Sequence, residues 1–371
     1  MEFTVNRDIF LKSLSHACGI IEKKTTLPIL SNILIDAKDS KIKITTTDLD
    51  IIYSEEIPLE GLKSPGTTTT SANVLHDILR KLEPDSKVEL SLLNANKLKL
   101  TSGNSKFNLL CLEADNFPLS NENMESKDFE IDARQLLKLL NKAKISISND
   151  ETRHYLNGIY LHKTNLENKS FLTGVATDSH RLSSSSLEID SKTDFESIIL
   201  PKKTIFQLIS LLEQKANTIK ISNTKSKIQF KMDRAVLISK VIDGRFPDYS
   251  KVVPKDNNKI LEIKLSEFKN SIERVSTVSS DRKEGLKMNI SKDIVQLSVN
   301  NPSSGEGIEN IKAQFNSNDL NISFNSRYLT DIASQIENES IVINLKDGSS
   351  PVLINDFSDK NSFHVVMPMK I

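Results

Sequence analysis

The sequence predicts an α+β protein of three similar domains, and two internal repeats carry that prediction. In the first repeat, FTVNRDIFLKSLSHA from Phe3 matches FEIDARQLLKLLNKA from Phe129 and LEIKLSEFKNSIERV from Leu261. Each copy opens with apolar residues two apart and then changes to apolar residues three or four apart. This change of period is typical of a strand that leads into a helix. Self-similarity of this kind indicates a duplicated structural unit.

The second repeat lies in the latter half of each copy. SANVLHDILRKL begins at Ser71, PKKTIFQLISLL at Pro201 and NSRYLTDIASQI at Asn325. Each segment precedes alternating strands: KVELSL and KLKLTS, TIKISN and KIQFKM, then SIVINL and PVLIND. The copies also end on similar phrases, NFP, RFP and VMP. Each copy is therefore expected to hold two short helices and several antiparallel strands.

Polar connectors separate the copies. SKDF begins at Ser126 and PKDNNK at Pro254, so we expect domains at residues 1–125, 126–256 and 257–371. Each is of ordinary size for one domain. The apolar ending FHVVMPMKI is then the last strand of the third copy, since a terminus is usually frayed and polar unless something holds it. Duplication for stability alone remains an alternative to six equivalent helices that serve one common surface.

Composition excludes several classes of protein. The 371 residues carry 49 basic and 49 acidic side chains, which argues against coating nucleic acid through a strong overall positive field. The sequence has no apolar run of about 18 residues that could span a membrane, and its N-terminus lacks the features of a secretory signal. Cys18 and Cys111 are the two cysteines, which fits a reducing cytoplasm better than a disulfide framework.

Signals of catalysis are weak. Asp178, Ser179 and His180 are residue types of a catalytic triad, but three consecutive side chains cannot adopt its geometry. The sequence contains no GxxxxGK[ST] phosphate loop, no HExxH zinc motif and no CxxC pair. We therefore predict that the protein is not an enzyme, with no catalytic residue, metal site or cofactor.

Five phrases in order resemble one protein family. They are TLPILSNILI at Thr26, RHYLNGIYL at Arg153, VATDSHRL at Val175, IDGRFPDYSKVVP at Ile242 and VVMPMKI at Val365. Along essentially its whole length the chain resembles the bacterial DNA sliding clamp, the beta subunit of DNA polymerase III. The resemblance implies a cytoplasmic, head-to-tail homodimer of three DNA-clamp domains per subunit. The helices would line the hole of a ring around double-stranded DNA, and the ring would act as a processivity factor for the replicative polymerase.

The resemblance also implies weak, scattered contacts with DNA, because each firm phosphate contact adds affinity and would hinder sliding. Loop positions that match the family's DNA contacts are Lys24, Arg153, His154 and Tyr155, and His154 departs from the paired aromatic residues usual there. Candidate cations on the predicted helices are Lys12, Arg80, Lys81, Arg134, Lys138, Lys142, Lys202, Lys203 and Arg274. The alternative for each one is an ordinary solvated surface cation.

Clamps of this family bind partners through an apolar groove between the second and third domains. The polymerase, the clamp loader and repair and translesion proteins insert short hydrophobic peptides there. Carried over by motif, the groove residues are Leu156, Thr177, Ser179, His180, Arg181, Leu182, Pro247, Lys251, Val252, Tyr328, Ser350, Val365, Val366, Met367, Pro368, Met369 and Lys370. Adaptable methionines suit a site for several peptides. The alternative is that these side chains fill the third core, and alternation along a strand prevents Val365 and Val366 from both facing the groove.

Three positions depart from the family pattern. Ser179 replaces the glycine of the phrase TDGHRL, Lys251 replaces a common arginine, and Lys283 stands where some relatives have an apolar residue. The dimer interface is expected at Phe107 and Leu109 of one subunit and Thr277 and Val278 of the other. The second hypothesis, from another class, is a repeated-domain scaffold that binds proteins but never encircles DNA.

Overall fold

The computed structural model describes residues 1–22, 26–119, 124, 126–215, 217–279 and 285–370. Within these residues the chain forms two compact units. The first unit comprises Met1–Arg134, Asp194–Glu196 and Lys203–Val241, and the second comprises Gln135–Thr193, Ser197–Lys202 and Ile242–Ile371. The α+β prediction is confirmed, since each unit is built on one antiparallel sheet with a few helices.

The first copy of the repeat begins with the predicted strand and helix. Helix α1 starts directly after Asn6, whose side chain accepts hydrogen bonds from the N–H groups of Asp8 and Ile9 and so caps the helix. Its helices are α1 (Arg7–Cys18) and α2 (Ala72–Lys81). Its strands are β1 (Glu2–Asn6), β2 (Asn32–Lys38), β3 (Lys41–Thr47), β4 (Ile51–Pro58), β5 (Gly61–Ser64), β6 (Gly66–Ser71), β7 (Lys87–Asn94), β8 (Lys97–Ser102) and β9 (Ser105–Leu112).

The central copy follows the same plan. Asp132 accepts a hydrogen bond from the N–H of Arg134 at the start of its first helix, in the place that Asn6 takes in the first copy. Its helices are α3 (Ala133–Lys144) and α4 (Lys202–Lys215). Its strands are β10 (Phe129–Asp132), β11 (Gly158–Leu166), β12 (Lys169–Thr177), β13 (Arg181–Ile189), β14 (Ile198–Pro201), β15 (Thr218–Asn223), β16 (Lys227–Met232) and β17 (Ala235–Lys240).

The third copy ends with the apolar tail. Its last strand stops at Val366, earlier than predicted, because Pro368 has no N–H to extend the ladder. Its helices are α5 (Leu265–Val275) and α6 (Ser326–Ala333). Its strands are β18 (Lys259–Lys264), β19 (Gly285–Ile290), β20 (Ile294–Asn301), β21 (Gly305–Phe315), β22 (Leu320–Asn325), β23 (Ser340–Leu345), β24 (Val352–Asp356) and β25 (Asp359–Val366).

Each sheet continues from one copy of the repeat into the next. Among the described residues, the sheet of the first unit has 13 strands in the order β10-β15-β16-β17-β4-β3-β2-β6-β9-β8-β7-β1-β5. The sheet of the second unit has 12, in the order β14-β11-β12-β13-β25-β24-β23-β18-β21-β20-β19-β22. The pairing of β4 with β17 joins two copies in the first unit, and that of β13 with β25 does so in the second.

Apolar faces of the helices and sheets fill the cores. Phe10 and Leu14 of α1 and Leu75 of α2 are fully buried in the first unit. Phe268 of α5 and Phe324 of β22 belong to the core of the third copy. The predicted change from strand period to helical period therefore places the apolar residues on the buried faces.

Lys142 of α3 departs from its predicted place among the surface cations. Its side chain is 2% exposed, and its Nζ lies 2.8 Å from Asp359 Oδ2 and 3.6 Å from Asp356 Oδ2. It also donates a hydrogen bond to Ser362 Oγ at 3.1 Å. Burial would raise the pKa of Asp356, but hydrogen bonds from the N–H of Glu337 and from the hydroxyl and N–H of Ser358, together with the positive charge of Lys142, hold that pKa below its usual value. Lys142 is thus part of a buried ion cluster, and the prediction of a DNA-facing cation was wrong for this residue.

The substitution Lys142→Met is expected to lower the free energy of unfolding by about 3–5 kcal/mol, because two carboxylates would stay buried without their cation. Urea unfolding followed by far-UV circular dichroism measures this loss. Lys138→Met is the matched control, because Lys138 lies one turn earlier on α3, pairs with Glu337 and Asp359, and is 38% exposed. It should cost about 1 kcal/mol or less. Equal losses in the two variants would contradict the assignment of Lys142 to the core.

Candidate functional site

An open apolar cavity of about 310 Å³ lies in the second unit. Ten predicted groove residues line it: Leu156, Thr177, Ser179, His180, Arg181, Leu182, Pro247, Val252, Val365 and Met367. Arg153 and Tyr155, which were predicted as DNA contacts, also line it, as do Asp248 and Tyr249, which the motif reasoning missed. We call this cavity the groove. The phrase FPDYS contains both missed residues, so the signal was present in the sequence.

The floor of the groove is made by a small apolar cluster. Leu182 of β13 lies opposite Val365 of β25 in the strand register, and Leu156 packs in the same cluster. At the rim, Val252 and Met367 keep 51% and 43% of their surface exposed. A buried apolar floor with exposed apolar edges is suited to receive an apolar side chain of a ligand.

A tight turn from Thr177 to Arg181 forms one side of the groove. Asp178 Oδ1 accepts hydrogen bonds from the N–H groups of His180 and Arg181, both at 2.9 Å. Thr177 Oγ1 accepts one from the N–H of Ser179 at 3.1 Å. The turn holds Ser179 at a φ of 75°, in the left-handed region that favours glycine. Ser179 therefore has a backbone conformation that glycine adopts without strain.

Arg153 lies at the rim of the groove. Its Nη1 donates a hydrogen bond to Ser179 Oγ at 2.6 Å, and its Nε donates to Asp150 Oδ2 at 2.8 Å. Hydrogen bonds from Thr152 and Arg153 lower the pKa of Asp150 to about 2, so this partner is ionised at neutral pH. The guanidinium is thereby held between two fixed groups beside the apolar floor.

Arg181 is buried beneath the turn. Its Nη1 lies 2.7 Å from Asp331 Oδ2 and its Nε 3.1 Å from Asp178 Oδ2. Its guanidinium carbon lies 4.3 Å from the centre of the Tyr328 ring. These contacts assign Arg181 to fixing the turn against α6. Tyr328 stacks on His180 at 6.5 Å and so supports the turn without lining the groove.

The tail holds one edge of the groove. Val366 is fully buried in the core of the third copy, so Val365 is the valine that faces the groove, as strand alternation requires. After β25, the N–H of Met367 donates to His180 O at 2.8 Å and that of Met369 donates to Ser323 O at 2.7 Å.

The remaining predicted groove residues lie outside its lining. Ser350 donates its hydroxyl to Asp347 Oδ2 at 2.8 Å, and Lys251 lies 3.4 Å from Asp248 Oδ2. The structure does not place Lys251, Tyr328, Ser350, Val366, Pro368, Met369 or Lys370 among the side chains that line the groove. Lys24 and Lys283 fall outside the described residues.

The other predicted DNA contacts are surface groups with partners. In the first unit, Arg80 lies 3.4 Å from Asp77 and Lys203 lies 3.2 Å from Glu22. In the second unit, Lys202 donates a hydrogen bond to Asn149 Oδ1. His154 Nε2 lies 3.2 Å from Asp243 O, and its ring meets the Tyr155 ring edge-on at 5.9 Å.

The predicted dimer residues lie beside two strand edges. Phe107 is half-buried and Leu109 is buried, whereas the next residue, Leu110, is 84% exposed. In the part of the chain that the structure describes, β6 pairs with β9 only at Cys111 and Leu112, so one edge of residues 105–110 has no strand beside it. The signal for Leu110 is strand alternation, which turns it away from the core.

The second unit has a comparable edge on β21. Residues 305–312 of β21 pair with β20 along one edge. Among the described strands, β18 pairs with the other edge of β21 only at Ala313–Phe315, so that edge has no partner strand at residues 305–312. Ile308 on this stretch is 55% exposed. Thr277 is exposed, and Val278 packs partly against the core of the third copy.

Two other kinds of site are absent from the residues that the structure describes. Within the described ranges, no cluster of three or more His, Cys, Asp or Glu side chains has the arrangement of a metal site. Nor does any helix there combine the length and apolar character needed to cross a membrane.

Three family models match successive parts of the chain. The N-terminal domain of the DNA polymerase III beta subunit matches residues 1–121, its central domain residues 130–248 and its C-terminal domain residues 250–370. The Beta sliding clamp of Caulobacter vibrioides is 35% identical over 373 residues, and that of Pseudomonas aeruginosa is 31% identical over 372 residues. Each pair is covered over 100% of both chains.

Solved structures agree with these matches. One is the C. crescentus beta sliding clamp, solved with polyethylene glycol in the region assigned to beta-motif tethering. It matches with a TM-score of 0.96 at 34% identity, and the match covers 100% of this chain and 99% of the C. crescentus chain. The Bartonella birtlesii sliding clamp, solved with griselimycin bound, has a TM-score of 0.96 at 37% identity and covers 100% of both chains.

The left-handed conformation of Ser179 predicts an unusual order of stability for two variants. Ser179→Gly and Ser179→Ala both lose the hydrogen bond with Arg153, but only alanine keeps the strain of a side chain at positive φ. The glycine variant should therefore be more stable than the alanine variant by about 1 kcal/mol in urea unfolding.

The same two substitutions at Ser15, an exposed residue of α1, provide the control. Within a helix the order should reverse, with glycine about 1 kcal/mol less stable than alanine. Alanine more stable than glycine at both positions would contradict the strain at Ser179.

Proposed function

Because this chain belongs to the DNA polymerase III beta subunit family, the beta sliding clamps, we propose that two copies of it close head to tail into a ring around duplex DNA. A sliding clamp is a non-catalytic processivity factor of DNA replication, and that is the function of this protein. We place one clamp domain in each of residues 1–125, 126–256 and 257–371, with their helices lining the hole. The threefold repeat of strand and helix supports this division. We also assign the ring to the cytoplasm, where the chromosome is replicated.

The open strand edges support the dimer. One edge of β9 and one edge of β21 lack a neighbouring strand among the described residues, and each carries an exposed apolar side chain, Leu110 or Ile308. Unpaired edges of this kind readily pair with another chain. Two copies joined head to tail would bring β9 of one beside β21 of the other. Phe107, Leu109, Thr277 and Val278 would lie within or next to this interface.

The charges suit a ring that slides. Net charge is zero, and several proposed DNA-facing cations already have carboxylate partners, as Arg80 has in Asp77 and Arg153 in Asp150. A cation that already pairs with a carboxylate binds a DNA phosphate more weakly, so these contacts oppose the sliding of the ring only slightly. Retention then comes from the closed ring, and sequence readout is not required. We assign sequence-independent contacts to Lys24, Arg80, Arg153, His154, Tyr155, Lys202 and Lys203.

The groove supports the tethering role, and its apolar floor is the observation that carries it. Leu156, Leu182 and Val365 are buried below an opening edged by Val252 and Met367. We propose that short peptides of the replicative polymerase, the clamp loader and repair and translesion proteins place a leucine or phenylalanine on this floor. Two related clamps were crystallised with griselimycin bound. We expect ligands of this chain to bind in the groove.

Release from DNA tests the ring. The protein loaded on nicked circular DNA should stay bound through gel filtration and should leave when one restriction cut makes the circle linear. Blocking both DNA ends with bound protein should restore retention, because the ring could no longer slide off. The alternative scaffold, which does not encircle DNA, predicts the same binding before and after the cut. Persistence on unblocked linear DNA would exclude the ring.

Neighbouring valines of β25 test the groove. Val365→Ala should weaken the binding of a labelled leucine-bearing peptide by about fivefold, because about 1 kcal/mol of apolar contact is lost. Val366→Ala also removes two methyl groups, but from the core of the third copy. It should therefore lower stability and weaken peptide binding less than Val365→Ala does. Fluorescence anisotropy measures the affinity, and urea unfolding measures the stability. Equal affinity losses in both variants would place the peptide elsewhere.

A further inference from the structure

An aromatic stack lies behind one wall of the groove. It consists of Phe246, Tyr160, His162 and Tyr249. The Tyr160 ring stacks on Phe246 at 5.0 Å and 7°, and on His162 at 4.4 Å and 16°. His162 meets the Tyr249 ring edge-on at 5.6 Å, and its Nε2 lies 3.0 Å from the Tyr249 hydroxyl oxygen. The stack thus ends in a hydrogen bond to a residue that lines the groove.

Two different parts of the chain supply the stack. Tyr160 and His162 are two residues apart on β11, so their side chains share one face of the sheet. Phe246 directly precedes the segment of residues 247–252, and Tyr249 begins the short 3₁₀ helix Tyr249–Lys251 within that segment. This segment, residues 247–252, forms the wall of the groove that Pro247, Tyr249 and Val252 line.

The wall has little other support from its own side chains. Lys251 and Val252 are mostly exposed, and Asp248 is used locally, since its Oδ1 accepts hydrogen bonds from the N–H and the hydroxyl of Ser250. Tyr249 is half-buried and reaches back to β11. Its hydroxyl therefore forms a polar link between this wall and the sheet.

The chemistry of His162 suits a fixed link. Burial lowers the pKa of His162 to about 4, so the ring is neutral at neutral pH and bonds to the tyrosine without a buried charge. Its Nδ1 is buried and has no hydrogen-bond partner among the described residues. A buried polar atom left unpaired has a cost in stability. The neutral ring is held by stacking on Tyr160 and by its hydrogen bond with Tyr249.

We propose that His162 is a positioning residue that holds Tyr249, and through it the wall of residues 247–252, in the conformation that receives a partner's peptide. This inference rests on the proposed function of the groove. A wall that is already ordered loses little conformational entropy when a ligand binds, and such pre-organisation raises affinity. His162 itself does not line the groove, so it acts through Tyr249.

The test is a double-mutant cycle of His162→Phe and Tyr249→Phe, with a labelled leucine- and phenylalanine-bearing peptide as the probe. Phenylalanine keeps the rings but removes the hydrogen bond. Each single variant should weaken affinity about three- to tenfold, mainly through faster dissociation, because an unheld wall must be ordered on binding. The double variant should be no weaker than the singles, since all three lack the same bond.

His162→Gln provides the rescue, because its amide can still bond to the Tyr249 hydroxyl and should recover most of the affinity. Urea unfolding of all variants separates stability from positioning, since a merely structural role would change unfolding without coupling the two residues in peptide affinity. Additive losses, or no loss, would overturn the inference.

Val365→Ala, measured in the same assay, separates the positioning role of His162 from the assignment of the groove as the peptide site. If Val365→Ala weakens binding while the His162 and Tyr249 variants do not, the positioning role is wrong and the groove stands. If Val365→Ala also leaves binding unchanged, the groove assignment fails and the positioning role fails with it.

Discussion

The pairing of β13 with β25 is the constraint on which the groove depends. It joins strands from two different copies of the repeat and sets Leu182 opposite Val365. Because side chains alternate along each strand, this register also sends Val366 into the core of the third copy. A shift of one residue along β25 would exchange the faces of the two valines, and Leu182 would no longer lie opposite Val365. The groove is thus a consequence of strand register, and the surrounding turns only shape its rim.

The first unit uses the same device. There β4 pairs with β17, and the N–H of Lys240 donates to Asp50 O at 2.8 Å, as the N–H of Met367 donates to His180 O in the second unit. Lys240 Nζ also lies 3.0 Å from Asp50 Oδ1. A lysine and an aspartate thus meet where the groove has a methionine and a histidine. The same backbone arrangement therefore carries charged side chains in the first unit and an apolar site in the second.

The sequence predicted what depends on local periodicity. The strand and helix that open each copy were recognised from apolar spacing, and the paired strands KVELSL with KLKLTS and TIKISN with KIQFKM form as expected. Most groove residues were located by phrases whose local order the fold preserves. Lys142 was misjudged because its face of α3 meets Asp359, more than two hundred residues away. The phrase FPDYS contains Tyr249, but the hydrogen bonds of Arg153 with Ser179 and of Tyr249 with His162 join distant segments, and such pairs leave no mark in spacing.

The two turns that match between copies show which features belong to the backbone. Asp48 Oδ1 accepts from the N–H groups of Asp50 and Ile51, as Asp178 Oδ1 does from His180 and Arg181. The residue after each aspartate has a positive φ, 79° at Leu49 and 75° at Ser179. Neither is glycine, so the hydrogen bonds of the turn outweigh the strain at both positions. At both positions the turn fixes the backbone, and at Ser179 the hydroxyl also accepts a hydrogen bond from Arg153.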